Sequence, residues 1–416
     1  MSEGLTLRAR FVAPMAGPVI ENGAVRIEGG IVRAVGRWGE LSGGGEVEDL
    51  GDAWLLPGFV NAHTHLELSC YAGKLAPQPF WSWIEGLIEL RRQPGAGARE
   101  KAAIVDGATQ SLLAGVTCVG DISRSGGQIA ALAGISIRRV CFVELISGAS
   151  PPGDPEELIE TLDEAESAVE ELTTLGVSPH ALYSVAWNDL RRVVAIAGER
   201  DMPITMHAAE TPEEIGWLRD GGGAVSDFLA RYRLPNAAAP IRGGVMELLH
   251  RAQMTRLRPL LAHGNYIDDA ELGMLAETRC SVAYCPRTHQ YFGHPEHRWR
   301  EMLRRGINVV AATDSLASNP SLSVLEELRL LRRESPDVPA DVLIGMGTAR
   351  AAGALGIDRV CGTIAPGLSA DFVMLEARQD RQSGELAVLL DSPTTIEGVW
   401  VTGSRVVCGG RIVAKD

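Results

Sequence analysis

The sequence predicts an α/β protein: a (β/α)8 barrel with a small β-sandwich domain formed by both chain ends. Three observations carry this expectation. Short apolar runs alternate with helix-like stretches through the middle of the chain. Both ends read as strands joined by Gly-rich turns. Polar residues, histidines above all, collect where the middle runs end.

The N-terminal stretch "AVRIEGGIVRAVG" alternates apolar and polar residues around a Gly-Gly pair, the pattern of half-exposed strands joined by a tight turn. The middle supplies the runs "LLPGFVNAH", "GVTCVGDI", "RRVCFVELI", "VSPHALYSV", "MPITMHAAE", "PLLAHGNYI", "CSVAYCPR" and "NVVAATDS". Between most of them lie helix-like segments such as "DPEELIETLDEAESAVEELTTLG", with an Asp-Pro start, early acids and a Gly stop, and "WNDLRRVVAIAGERD". Roughly eight strand–helix units over about 300 residues fit a barrel. A doubly wound sheet is the alternative, but no G-x-G-x-x-G follows any of these runs. The C-terminal "ADFVMLEA" and "GVWVTGSRVVCGGRIVA" are again strand, Gly turn and strand. The expected division is a barrel over 57–356 and a small β domain built from 1–56 and 357–416.

Composition narrows the function classes. With 416 residues, 45% hydrophobic and 22% charged, the chain can bury a water-excluding site. A net charge of −14 speaks against nucleic acid or an anionic membrane surface as partner. The start, "MSEGLTLRARFVAPMAG", lacks an uninterrupted apolar h-region, and no run reaches the ~20 apolar residues of a membrane span. Seven scattered cysteines without a CxxC pair point to free thiols in a reducing, cytoplasmic compartment. The missing PCxxC element also excludes the cytidine-deaminase type of zinc site.

In a barrel the chemistry sits at the C-terminal strand ends. There the chain places His63, His65, Glu67, Asp121, Glu144, His180, His207, Glu210, His263, Arg287, His289 and Asp314. His63 and His65, two apart on a strand, point to one face and can share a metal ion if other strands supply further ligands. Six of the nine histidines fall at such ends; His250, His294 and His297 read as helix or loop residues.

The motifs "PGFVNAHTHLE", "TMHAAE", "LAHGNYI", "ATDS" and "GTIAPGLSADFVML", in this order, resemble the amidohydrolase superfamily over nearly the whole chain. Within it they resemble the cytosine/adenosine/guanine deaminase and chlorohydrolase-like branch. The resemblance implies one divalent metal ion, Zn²⁺ or Fe²⁺, held by His63, His65, His207 and Asp314. Such ligands suit either metal, and a catalytic site of this kind keeps a position open for water. It further implies that Glu210 protonates a ring nitrogen, and that His263 and Asp314 handle the proton of the attacking water. Glu67, His180 and His289 are the residues expected to meet the small-molecule substrate. A homodimer or larger homo-oligomer is usual for the family.

Two-metal branches carry a lysine in the fourth strand; "VSPHALYSV" has none, which argues for one ion. His180 matches the branch's "PHAPY" element, although Leu182 stands where proline is usual. "CPRTHQYFGH" replaces the common CP-x-S-N pattern, with Thr288 and His289 in place of Ser and Asn. Its Tyr291 and Phe292 could stack on a substrate ring or pack their own loop. Together with "HTHLELS" and "FWSWIEGL", this segment is most similar to the 6-aminodeoxyfutalosine deaminases of the futalosine route to menaquinone. Methylthioadenosine/S-adenosylhomocysteine deaminases are the nearest neighbours. Arg91 or Arg92 aligns close to a ribose-binding acid of that group, either meeting a substrate carboxylate or lying on a solvated helix face. Glu67 could hold sugar hydroxyls or ring N–H groups, or orient a ligand histidine. The expected activity is hydrolytic removal of the 6-amino group of an adenine-type nucleoside, lean 6-aminodeoxyfutalosine. The alternatives are deamination of S-adenosylhomocysteine, methylthioadenosine, adenosine or guanine, or a chlorohydrolase or amidase reaction. A silent scaffold would have lost at least one of the four ligands, and none is lost.

Overall fold

The computed structural model describes residues 4–41, 45–149, 152–237, 241–377 and 384–413. Eight parallel strands run through its middle: β1 (Phe59–Thr64), β2 (Val116–Ser123), β3 (Arg138–Leu145), β4 (Thr173–Pro179), β5 (Thr205–Ala208), β6 (Leu260–His263), β7 (Ser281–Tyr284) and β8 (Asn308–Ala311). β1 to β4 pair in order as one parallel sheet, and β5 to β8 as another. The content is therefore mixed α/β, with helices following most strands. Nearly every strand residue is buried, which is why these strands read as continuous apolar runs rather than alternating ones.

Backbone hydrogen bonds bridge the two sheets. Between β4 and β5, Val177 N–H donates to Pro203 O (3.0 Å) and His207 N–H to His180 O (2.8 Å). Between β8 and β1, Asp314 N–H donates to His63 O (3.1 Å). There Asn61 also donates to Thr313 Oγ1 (2.7 Å) and accepts from the Thr313 N–H (3.1 Å).

The segment expected to be one long helix from Asp154 divides. Asp154 does cap it, accepting from the Glu157 N–H at 2.9 Å with Pro155 following, but the helix stops at Glu166. Its second half feeds β4, whose Thr173–Pro179 backbone pairs with β3 in register from Arg139↔Thr173 to Leu145↔Pro179. A continued helix would leave the inner edge of β3 unpaired and buried, which is the costlier outcome.

Both chain ends build one nine-stranded sheet. Its order is Arg411–Ile412, Ser404–Cys408, Thr394–Val401, Phe372–Ala377, Trp54–Pro57, Leu5–Val12, Ile20–Glu28, Ile31–Arg37, with Glu46–Asp49 pairing beside Leu5–Val12. The Gly29-Gly30 turn of the sequence is there, both residues at positive φ (59° and 76°). Trp54–Pro57 leads straight into β1 through Gly58, where an added Cβ would lie 2.1 Å from Thr117 Oγ1 on β2. At the base of β3, Arg138 donates to Asp371 Oδ2 (2.9 Å) and Ser369 Oγ (2.9 Å), and the other Asp371 oxygen accepts from the Thr402 N–H (2.8 Å). This buried ion pair ties β3 to the terminal sheet. No helix among the described residues is long and apolar enough to cross a membrane.

Candidate metal centre

The C-terminal ends of β1, β5, β6 and β8 converge. One nitrogen each of His63, His65 and His207 lie within 4.8 Å of one another. His207 Nε2 is 3.3 Å from His65 Nε2, while Asp314 Oδ1 stands 3.7 Å from His65 Nε2 and 3.9 Å from His63 Nε2. The positions come from the strands: β1 carries His63, His65 follows directly at its end, and β5 contributes His207 beside the His180 backbone.

Each group is oriented by what surrounds it. The His180 carbonyl accepts from the His207 backbone N–H and also faces His207 Nδ1 at 3.2 Å. A carbonyl only accepts, so the proton sits on Nδ1 and the Nε2 lone pair points into the cluster. Asp314 spends one oxygen on the Ser318 hydroxyl (3.1 Å) and leaves Oδ1 towards the histidines. Its carbonyl accepts from Thr64 Oγ1 (2.9 Å) and Thr313 Oγ1 (3.0 Å). Burial and the neighbouring imidazoles hold His63 and His65 well below the usual imidazole range, and burial takes His207 down to about 4, so all three stand neutral with lone pairs available.

The residues fit a metal ion. His63 is 1% exposed, and neither of its ring nitrogens has a hydrogen-bond partner. A buried imidazole left so is unfavourable unless something else takes its lone pair. Three neutral imidazoles and a carboxylate are a donor set for a borderline or hard divalent cation.

Beside the cluster, His263 Nε2 lies 3.3 Å from Glu210 Oε1, both buried. Burial lowers the His263 pKa well below its ordinary value. Burial, then the charges of Asp314 and Glu214, raises Glu210 well above the carboxylate range. Burial thus favours the neutral imidazole of His263 and pushes the facing Glu210 carboxyl towards its protonated form. Glu214 fixes the turn that carries Glu210, accepting from the N–H groups of Glu210 (2.8 Å) and Ala209 (3.3 Å). Ala209, His263 and Asp314 all have left-handed backbone, at φ 52°, 70° and 57°. Non-glycine residues held there store ~1–3 kcal/mol each, a pattern that gathers at functional sites.

The other expected contacts divide. His180 lies at the cluster, its Nδ1 2.6 Å from Ser184 Oγ. Glu67 is buried, but Arg91 holds its Oε1 at 2.7 Å and Gln128 lies 3.5 Å from Oε2. Arg91 also meets Glu100 at 3.0 Å, so it lies neither on a solvated face nor free for a substrate carboxylate. Arg92 does lie on an exposed face, paired with Glu89 at 3.1 Å. Around His289, expected to meet substrate, Nδ1 faces Asn265 Oδ1 (3.1 Å) and Nε2 the Pro295 carbonyl (2.7 Å). Asn265 in turn donates to the Glu210 carbonyl (3.0 Å), so His289 positions the Glu210 turn. Arg287 likewise serves the scaffold, bonding Ser321 and Glu326.

His294 and His297, expected as helix or loop residues, do lie in the loop after the helix Pro286–Phe292; what they touch there was not foreseen. His297 Nε2 donates to the His263 carbonyl (3.0 Å) and its ring stacks on Tyr284 at 4.0 Å; His294 Nδ1 lies 3.1 Å from the Tyr266 hydroxyl. The three-residue spacing in "GHPEH", directly after a strand-end helix, was the available signal. Tyr291 and Phe292 pack against Leu75 and the helix Phe80–Arg91: the Tyr291 hydroxyl donates to Leu75 O (2.9 Å) and accepts from Trp83 Nε1 (3.1 Å), while Phe292 meets Phe80 and Trp83 edge-on.

Residues 54–413 match the pattern of the amidohydrolase family. The chain belongs to the amidohydrolase family. Among amidohydrolase relatives, the 5-methylthioadenosine/S-adenosylhomocysteine deaminase of Moorella thermoacetica is 28% identical over 97% of this chain and 92% of its own length. Among solved structures, an adenosine deaminase from Xanthomonas campestris with bound zinc superposes with a TM-score of 0.84 at 22% identity, covering 99% of this chain and 94% of that one. The Helicobacter pylori aminofutalosine deaminase bound to methylthio-coformycin gives 0.84 at 21% identity, covering 97% and 100%. This amidohydrolase shares their fold.

Proposed function

We propose that this amidohydrolase is a metal-dependent hydrolytic deaminase that removes the 6-amino group of an adenine nucleoside. The observation that carries the reading is the buried Glu210 carboxyl, 3.3 Å from His263 Nε2 and next to the cluster of His63, His65, His207 and Asp314. The deaminase names of the curated relatives support it. The same reading takes β1 to β8 as one closed (β/α)8 barrel over 57–356, supported by the backbone bonds at both seams. It takes 1–56 and 357–416 as a separate β-sandwich domain, supported by their common sheet.

His63, His65, His207 and Asp314 would hold the ion, Zn²⁺ or Fe²⁺. When bound, it supplies Lewis-acid activation of a water molecule at neutral pH. His263, neutral and buried, accepts a proton from the attacking water. Attack at C6 places electron density on the adjacent ring nitrogen, and Glu210, held as an acid, delivers a proton there. Asp314 Oδ1, its partner oxygen fixed by Ser318, is placed to take the proton of the new C6 hydroxyl and carry it to departing ammonia, while His263 returns its proton to Glu210.

Within adenine nucleosides, 6-aminodeoxyfutalosine remains our first substrate, on the likeness of "HTHLELS" and "CPRTHQYFGH" to those deaminases. An arginine for its carboxylate is no longer part of the case, since Arg91 is consumed by Glu67 and Glu100. The test is ammonia release by zinc-loaded protein on 6-aminodeoxyfutalosine, methylthioadenosine, S-adenosylhomocysteine, 5′-deoxyadenosine and adenosine. Turnover of at least one, abolished in Glu210→Gln with metal content unchanged, is the expected result. Full metal loading with no ammonia from any of them would overturn the reading.

A further inference from the structure

Glu144, near the end of β3, is used by nothing described so far. It is 5% exposed, and its Oε1 is buried without any hydrogen-bond partner. A carboxylate oxygen and one nitrogen each of His180 and His207 lie within 4.8 Å of one another. An unpaired carboxylate oxygen inside a protein calls for a cation or a donor.

A second metal ion is a poor answer. The set Glu144, His180 and His207 shares His207 with the cluster of His63, His65 and His207. His207 has one lone pair to give, because its Nδ1 proton is held by the His180 carbonyl. The two sets cannot both be filled. A donor on the substrate is the remaining occupant. If the substrate is an adenine nucleoside, its donors are few: the 6-amino group and the hydroxyls of the sugar. Glu67, another carboxylate at this end of the strands, already has Arg91 and Gln128.

We propose that Glu144 is the ribose-reading residue of this site, its free Oε1 accepting a hydrogen bond from the 2′- or 3′-hydroxyl of the bound nucleoside. This rests on the nucleoside reading given above. It makes the enzyme selective for ribonucleosides over their deoxy counterparts, because a site built to bind a hydroxyl is left with an unpaired buried group when the hydroxyl is missing.

The experiment compares kcat/KM on adenosine, 2′-deoxyadenosine and 3′-deoxyadenosine for the zinc-loaded wild type and Glu144→Ala, with metal content measured for both. The wild type is expected to disfavour one deoxynucleoside by about 100-fold, and Glu144→Ala to lose that preference to within about threefold while keeping its metal. Should Glu144→Ala fail to fold, Glu144→Gln replaces it, with the preference expected to shrink about tenfold as a charge-assisted bond becomes a neutral one. A preference unchanged in the variant overturns the assignment, as does a wild type indifferent to both hydroxyls. An equal loss of kcat on all three nucleosides overturns it too and moves Glu144 to the amino group. Loss of metal in the variant would make Glu144 a ligand, also overturning it. A wild type that turns over none of the adenine nucleosides, those of the earlier screen included, would remove the nucleoside reading itself, and this inference with it.

Discussion

At Asp314 the two carboxylate oxygens have different tasks: Oδ2 is tied to Ser318 and Oδ1 faces the histidines. Ser318→Ala frees the carboxylate to rotate, and kcat should fall ~10-fold with metal content intact, measured by steady-state kinetics on the loaded enzyme. His63→Ala should lose its metal on dialysis and all deaminase activity with it, read by elemental analysis, because no nearby group replaces a buried imidazole. Glu210→Gln keeps the metal and should lose ~10²–10⁴-fold in kcat. Glu327 offers a test of stability against pH. It is fully buried behind the Asp314 loop, accepting from Asn319 (2.8 Å) and the Arg287 N–H (3.0 Å), and burial raises its pKa from 4.5 to about 7. Its folded state therefore holds a proton that the unfolded chain gives up between pH 4.5 and about 7. That contribution is complete below pH 4.5 and is lost as pH rises through about 7, up to ~3 kcal/mol. Chemical denaturation from pH 4.5 to 8 should show a shallower fall in Glu327→Gln than in wild type.

The loop after β7 and the helix Phe80–Arg91 close on each other over the strand ends, with Tyr291 as the clasp. Tyr291→Phe removes two hydrogen bonds and should cost about 1–2 kcal/mol locally. Limited proteolysis should then cut near residues 285–299 faster than in wild type, with a raised KM and little change in kcat. This clasp marks the boundary of what the sequence disclosed. The strands were legible because buried parallel strands need unbroken apolar runs, and the proposed ligands His63, His65 and His207 because histidines two apart at the end of β1 and an H-x-x-E beginning on β5 have few other uses. His289 was visible as a residue but not its neighbours, since only the fold brings Asn265 and Pro295 to its two nitrogens. Arg91 failed for the same reason: its partners Glu67 and Glu100 come from segments on either side of it. The end of the helix at Glu166 was hidden because "AVEELTTLG" has acceptable helical composition, and only pairing to β3 decides otherwise.

Across the whole molecule, the Arg138–Asp371 pair links the catalytic strands to the terminal sheet through a contact between distant parts of the chain. Arg138→Met leaves Asp371 buried without its cation and should lower stability by ~3–5 kcal/mol. Fluorescence from the terminal sheet and loss of activity should unfold together in wild type and separate in this variant. The strand Trp54–Pro57 carries a different consequence. It is flanked by Leu5–Val12 on one side and Phe372–Ala377 on the other, so its second neighbour is among the last parts of the chain to be made. During translation the nascent protein must carry an open, apolar strand edge directly beside the segment that delivers His63 and His65. The finished site is thus sealed from behind only when synthesis is nearly over, and chaperone occupancy on ribosome-bound chains should persist until residue 377 has left the exit tunnel.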